Sequence, residues 1–279
     1  MERTIRKRYN MGGYSEYDLV NPDHMIEAMW VQKTPLSAPI GGIHHLVPET
    51  TVNIAISRLV NTRGSASSVA AFVFGPLNKP FTFKLVPGHQ IMAARIKPEW
   101  ISNLIGISSE ELFNKIVDLR DISHTLNDQL LSILDQTSSE IEIIQKLYHI
   151  LKNHHGLKSE KYKLSDYGKS AIELIRKSNG HISQSQLTNY FNISDRHLRR
   201  TVSDLTGFSP KALCRNIRFL RTLEYSDRSS KIDWADCAVK FGYYDQAHLI
   251  NEFKMLTHLT PNQLMQTRKA ESVFSNSAL

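Results

Sequence analysis

Hydrophobic positions along the chain change period near residue 97. Before it they alternate: Val52-Asn53-Ile54-Ala55-Ile56 puts an apolar or small residue at every second position, as a half-buried strand does. Val69–Phe74, Phe81–Val86 and Ile91–Ile96 read as further short strands, separated by turn chemistry at Asn61-Thr62-Arg63-Gly64, Gly75-Pro76 and Pro87-Gly88. Such spacing predicts a compact β-barrel or sandwich up to about residue 97. After that the period is helical. Pro98–Ile105 opens a short helix, and Ser108-Ser109-Glu110-Glu111 caps a second that carries Leu112, Ile116 and Leu119. Ile122, Leu126, Leu130 and Leu134, then Ile141, Ile144, Leu147 and Leu151, continue at helical spacing, the last group serving core packing or a dimer seam equally well. The polar, aperiodic stretch NHHGLKSEKYK that begins at Asn153 then reads as a linker.

Beyond the linker the chain repeats itself. Ile182, Leu187 and Phe191 return as Ile232, Cys237 and Phe241 at an offset of 50, and Leu198, Val202 and Pro210 return as Leu249, Phe253 and Pro261 at an offset of 51. Each unit has helix-turn-helix punctuation. A short helix ends at Phe191 or Phe241, and Asn192 or Gly242 follows, residues that tolerate the left-handed backbone of a sharp turn. Ile193 or Tyr243 plugs the space between the helices, a second helix begins near Ser194 or Tyr244, and Ser209-Pro210 or Thr260-Pro261 caps the next. On the second helix of the first unit, Arg196, Arg199 and Arg200 take the exposed side, and Leu198, Val202 and Leu205 the buried one. Arginine forks suit guanine edges or phosphate, whereas Gln246 and Asn251 of the second unit suit adenine. Pro210–Ser226 reads as a rigid connecting helix of about 25 Å, with Lys211, Arg215, Arg218 and Arg221 along it, some as a solvated face and one or two placed to meet phosphate.

Charge and composition sharpen this reading. Of a net +7, almost all lies in residues 160–279, with 18 Lys and Arg against 12 Asp and Glu; residues 1–159 hold 16 against 15. A basic half beside a neutral one fits a nucleic-acid module joined to something else. No apolar run reaches the roughly 18 residues of a membrane span, and Met1–Asn10 lacks a signal-peptide core, which predicts a cytoplasmic protein. Cys214 and Cys237 read as buried, reduced thiols. His44-His45 and His154-His155 lack partners at ligand spacing, so no metal or cofactor is expected. No P-loop, dinucleotide fingerprint or nucleophile elbow is present, and the acids near His44, His45 and His89 are only Glu49 and Glu99, so no enzyme is expected. Arg3, Arg6 and Arg8 form a basic arm or an anion clamp, and Trp30 and Trp100 serve packing or line a pocket.

With these residues in place, about residues 166–270 resemble the AraC/XylS family of transcription regulators. The second unit carries the family pattern most fully, in Ala235-Asp236-Cys237-Ala238, Phe241-Gly242-Tyr243-Tyr244-Asp245-Gln246, His248-Leu249-Ile250-Asn251-Glu252-Phe253-Lys254 and Thr260-Pro261. The first carries Ser194, Arg196-His197-Leu198, Arg200, Thr206-Gly207 and Ser209-Pro210, with departures at Thr188, Asn192 and Val202; Leu220 and Thr222 of the linker helix and His258 of the second unit depart from the pattern too. Phe74-Gly75-Pro76, Val86-Pro87-Gly88 and the segment from Pro98 to Asn114 resemble a poorly characterised sensor-like domain found ahead of such regions. The resemblance implies an α+β chain: a β-barrel-like domain followed by helices (1–152, sensing or dimerising), a linker (153–165), and an all-α DNA-binding domain (166–279) whose two helix-turn-helix motifs are joined by a linker helix. It implies double-stranded DNA as partner, read in successive major grooves by Arg196, Arg199 and Arg200 and by Gln246, Ala247, His248 and Asn251, with Lys254 on phosphate. RNA polymerase, a small-molecule effector and a second copy of the chain are candidate partners, and no membrane is expected.

Overall fold

A computed structural model describes all residues except 1–4, 12, 22, 39–42, 64–65, 85, 138, 155–165, 230–231 and 277–279. The sequence-based linker therefore lies mostly outside the described residues, as do Arg3 and His155. The backbone of Arg6, Arg8, His44 and His45 is described but not their side chains.

Among the described residues nine strands come first: β1 (Ile5–Met11), β2 (Tyr14–Leu19), β3 (Ile26–Lys33), β4 (Ile43–Leu46), β5 (Val52–Val60), β6 (Ala66–Phe74), β7 (Phe81–Lys84), β8 (His89–Ile96) and, after the turn Pro98–Trp100 and the short helices α1 (Ile101–Ile105) and α2 (Ser109–Leu112), β9 (Ile116–Asp118). Seven form one antiparallel sheet in the order β1-β2-β3-β8-β5-β6-β9, while β4 pairs with β7 apart from it. The sheet is open rather than a closed barrel. Its last strand has three residues and ends where Asp118 caps α3 (Leu119–Ile122), leaving too little length to pair onward. Ile116, at helical spacing from Leu112 and Leu119, belongs to this strand and not to a helix; it pairs with Phe74.

Alternation decides which face is covered. Val52, Ile54 and Ile56 of β5 and Met92, Ala94 and Ile96 of β8 point to the main core. There they meet α1 (Ile101–Ile105), α4 (His124–Gln136) and α5 (Glu140–Asn153), the last through Ile143, Ile144, Leu147 and Leu151. The apolar face of α5 is thus spent on the sheet, with Ile141 outside it at 42% exposure. On the opposite face Ala55, Ile91 and Ala93 lie beside a polar array: Trp30 Nε1 donates to Asn53 (2.8 Å), Asn53 to Glu49 (3.1 Å), and Arg95 pairs with Glu49 (2.8 Å) and Glu16 (3.3 Å). Burial works against the Arg95 charge, but these acids outweigh it and hold its pKa well above the ordinary arginine value.

Among the described residues seven helices follow: α6 (Asp166–Lys177), α7 (Gln184–Phe191), α8 (Asp195–Thr206), α9 (Pro210–Arg228), α10 (Trp234–Lys240), α11 (Gln246–Thr257) and α12 (Pro261–Asn276). Among the described residues no helix is long and apolar enough to cross a membrane.

The two halves meet along a seam that no sequence period announces. The turn Pro98–Trp100 presents Glu99 and Trp100 to α6. Arg176 grips Glu99 with both guanidinium nitrogens (Nη2 to Oε2, 2.7 Å), their side chains only 16% and 5% exposed. Two turns earlier on α6, Lys169 Nζ sits 3.7 Å from the centre of the Trp100 ring. Phe113 meets Phe208 edge to face at 4.9 Å, against the left-handed Gly207, where a β-carbon would fall 2.5 Å from the Phe113 ring. Arg176→Ala would leave the Glu99 carboxylate buried without its cation. Urea unfolding of the whole chain is expected to show a loss of about 3–5 kcal/mol, and much less for the paired change Glu99→Leu with Arg176→Met. A single variant as stable as the parent would contradict this.

Candidate nucleic-acid interface

The first unit is built by its caps. Ser183 and Gln186 form a reciprocal capping box that starts α7, and Asn192 ends it in the left-handed region (φ 49°). Ile193 packs into the first unit's core, and the Ser194 hydroxyl accepts the His197 N–H at 3.3 Å to start α8. Leu198 and Val202 of α8 are fully buried against Ala171, Ile172 and Ile175 of α6. Arg196, Arg199 and Arg200 lie on the exposed side, as the spacing predicts.

The second unit repeats the plan with different chemistry. Asp233 accepts the N–H groups of Ala235 and Asp236 to start α10, Gly242 makes the turn (φ 67°), and Tyr243 is the buried plug. Burial pushes its phenol up to about 12. Asp245, one residue later than the sequence suggests, caps α11 by accepting the His248 N–H at 2.7 Å. Leu249, Phe253 and Leu256 are buried; Gln246, Ala247, Asn251 and Lys254 are exposed. His248 stands apart from these. Its ring is edge-on to Tyr243, Nδ1 accepts the Tyr244 N–H (3.1 Å), and Nε2 lies 3.8 Å from Glu252.

Both left-handed turns in each unit are instructive. Asn192 and Gly207 in the first correspond to Gly242 and His258 in the second, all at positive φ. Each unit therefore supplies one glycine and one strained side chain, His258 at φ 62° being the costlier exchange.

Arg215 and Arg218 of the connecting helix are engaged within the protein. Arg215 Nε pairs with Glu252 (2.9 Å) and Nη2 approaches Met255 Sδ (2.6 Å), both on α11. Arg218 donates to the Gly242 carbonyl (3.1 Å) and lies 5.7 Å from the Tyr243 ring centre. The two fasten α9 to the second unit. Arg221 pairs along its own helix with Glu224 (2.9 Å), and Lys211 is exposed. A helical wheel finds the charged face of α9 but does not reveal that α11 packs on it. The recurrence of histidine at the same place in both second helices, His197 and His248, is the sequence signal for residues that fasten the starts of these helices.

Cys214 and Cys237 are buried and unpaired; burial pushes the Cys214 thiol to about 11.

A family profile described as a helix-turn-helix domain matches residues 187–267, and one described as a domain of unknown function (DUF6597) matches residues 23–118. No curated protein gives a match. Among solved structures, the C-terminal domain of AraT, a response regulator from Geobacillus stearothermophilus, is 25% identical over 38% of this chain and 88% of its own (TM-score 0.35). ToxT from Vibrio cholerae is 10% identical over 86% of this chain and 98% of its own (TM-score 0.47). Its unsaturated fatty acid-bound form is 12% identical over 88% and 97% (TM-score 0.44).

Two substitutions test this geometry by stability alone. His258→Gly is expected to stabilise the chain by about 1 kcal/mol, since glycine occupies the left-handed cap without strain. Arg215→Ala is expected to lower the melting temperature without any DNA present, because it strands Glu252 at 14% exposure. Were Arg215 a phosphate contact only, thermal unfolding would not change.

Proposed function

We propose, from the helix-turn-helix profile matched at residues 187–267 and the DUF6597 profile matched at residues 23–118, a sequence-specific transcription regulator of the AraC type that places α8 and α11 in successive major grooves. One observation carries this reading: both helices have fully buried apolar backs and exposed polar fronts near their N-terminal ends, arginines on one and amides on the other. Arg196, Arg199 and Arg200 would read guanine or grip phosphate, and Gln246 and Asn251 would read adenine edges. Ala247 offers a methyl to thymine, and Lys254 and Lys211 suit phosphate. His248 contributes mainly by setting the start of α11, given its internal bonds. The 19 residues of α9 span about 28 Å, close to the roughly 34 Å between successive grooves.

The proposal extends to organisation. Residues 1–152 act as a regulatory part, 153–165 as its connection, and 166–279 as the DNA-binding part. The seam of Glu99, Trp100 and Phe113 against α6 and the end of α8 supports control of DNA binding from the N-terminal side. A small-molecule effector or a second copy of the chain is the proposed input, and RNA polymerase the proposed downstream partner.

The test is selection of a duplex from a randomised library by the full chain, followed by binding measured across a salt series. Affinity is expected to fall steeply with salt. Arg200→Ala and Asn251→Ala are each expected to cost about 1–3 kcal/mol on the selected duplex and to relax preference at different base pairs. If both folded variants bound the selected duplex as the parent does, the assignment of the reading surface would be wrong.

A further inference from the structure

We propose that Tyr167, on α6, is a positioning residue for DNA reading: it fixes the ring of His197 and, through that ring, the guanidinium of Arg200. The inference rests on the reading just given, in which Arg200 faces DNA, and adds to it the element that orients the side chain. Tyr167 is the second residue of α6, outside the helix-turn-helix itself. Its ring stacks on His197 at 5.2 Å with an interplanar angle of 29° and leans on Phe191 at 6.3 Å. Its hydroxyl sits between His197 Nε2 and Thr201 Oγ1, the latter at 2.5 Å. On the other edge of the imidazole, Arg200 Nη2 lies 3.5 Å from Nδ1.

Donor and acceptor rules give this row a direction. A guanidinium can only donate, so Nδ1 of His197 accepts and the neutral ring carries its proton on Nε2. That proton points to the Tyr167 oxygen, leaving the phenolic hydrogen for Thr201. The ring therefore has one orientation that satisfies both edges, and Arg200, exposed on a long flexible stem, has a fixed acceptor beside it. Arginine side chains hold large rotamer freedom, and limiting it before binding leaves less to lose when a base is gripped. The corresponding place in the second unit is filled differently. His248 is held by the Tyr244 amide and Glu252, and the residue three places on is Asn251, which has no comparable freedom to restrain. The two units thus pin the same histidine from opposite sources, one from a neighbouring helix and one from within.

Tyr167→Phe keeps the ring and removes the hydroxyl; Thr201→Val leaves Tyr167 intact and removes the hydroxyl's other partner. Full-length parent, both variants, Arg200→Ala, and Tyr167→Phe combined with Arg200→Ala are each put through the same randomised-duplex selection. Thermal unfolding confirms that each is folded. Tyr167→Phe is expected to weaken binding to the parent's selected duplex by roughly three- to tenfold. It is also expected to flatten preference at the base pairs that Arg200→Ala flattens, leaving those governed by Asn251 untouched. Added to Arg200→Ala it is expected to cost nothing further, as coupled neighbours do. Thr201→Val is expected to move the same base pairs in the same direction. A Tyr167→Phe profile identical to the parent's, or a loss that adds in full to that of Arg200→Ala, overturns the role of Tyr167 alone. A parent protein that enriches no duplex overturns the DNA reading itself, and this role with it.

Discussion

The C-terminal half depends on α9 being buried on two sides at once. Leu213, Cys214 and Ile217 enter the core of the first unit, while Phe219 and Leu223 enter that of the second. The two stripes are six residues apart, which turns one about 120° from the other around the helix. Each stripe completes a cluster that its own short helices could not close, so neither unit is whole without the shared wall. Polar residues on α9 are reconciled with that burial by bonding back to their own helix. Thr222 Oγ1 donates to the Arg218 carbonyl at 2.8 Å, and Ser226 Oγ to that of Leu223 at 2.8 Å. Thr222 Oγ1 also lies 3.4 Å from the buried Tyr243 hydroxyl. Arg215 and Arg218 complete the fastening with ion pair and hydrogen bond.

What could be read from the sequence is what is encoded locally. Turns at Asn192 and Gly242, caps at Ser194 and Ser209, and the buried backs of α8 and α11 follow from neighbouring residues and fall where the pattern puts them. The same holds for β5, β6 and β8, and for the Ser108–Glu111 capping box. What was not legible depends on partners distant in the chain. Ile116 has helical spacing, yet pairing with Phe74 makes it a strand. Whether the sheet closes is decided at its edges, not along any strand. Arg215 and Arg218 have the spacing of a solvated face, and only the docking of α11 turns them inward. Glu99 and Arg176 each look like an ordinary surface charge until the fold brings them together.

Helix α6 has two kinds of neighbour. Arg176 and Lys169 face the N-terminal half, Ala171, Ile172 and Ile175 face the first unit's core, and Tyr167 reaches the front of α8. The N-terminal half also holds the far end of α8 through Phe113 and Gly207, so the grip falls at the end opposite the arginines. The seam therefore constrains α8 without covering its exposed tip. Its parts are chemically mixed, a buried ion pair, a cation over a ring and an edge-to-face aromatic pair, so no single loss of charge or of packing removes all of them.

The fused cores around α9 have a mechanical consequence for the proposed DNA complex. A protein whose two reading helices share one rigid wall has little slack to absorb a mismatch in groove phase or distance. The duplex must yield instead, by bending or by a change of twist between the two contacted segments. The stiffness of the base steps in that untouched stretch then enters the binding free energy, and the chain would discriminate among sequences at positions where it touches no base.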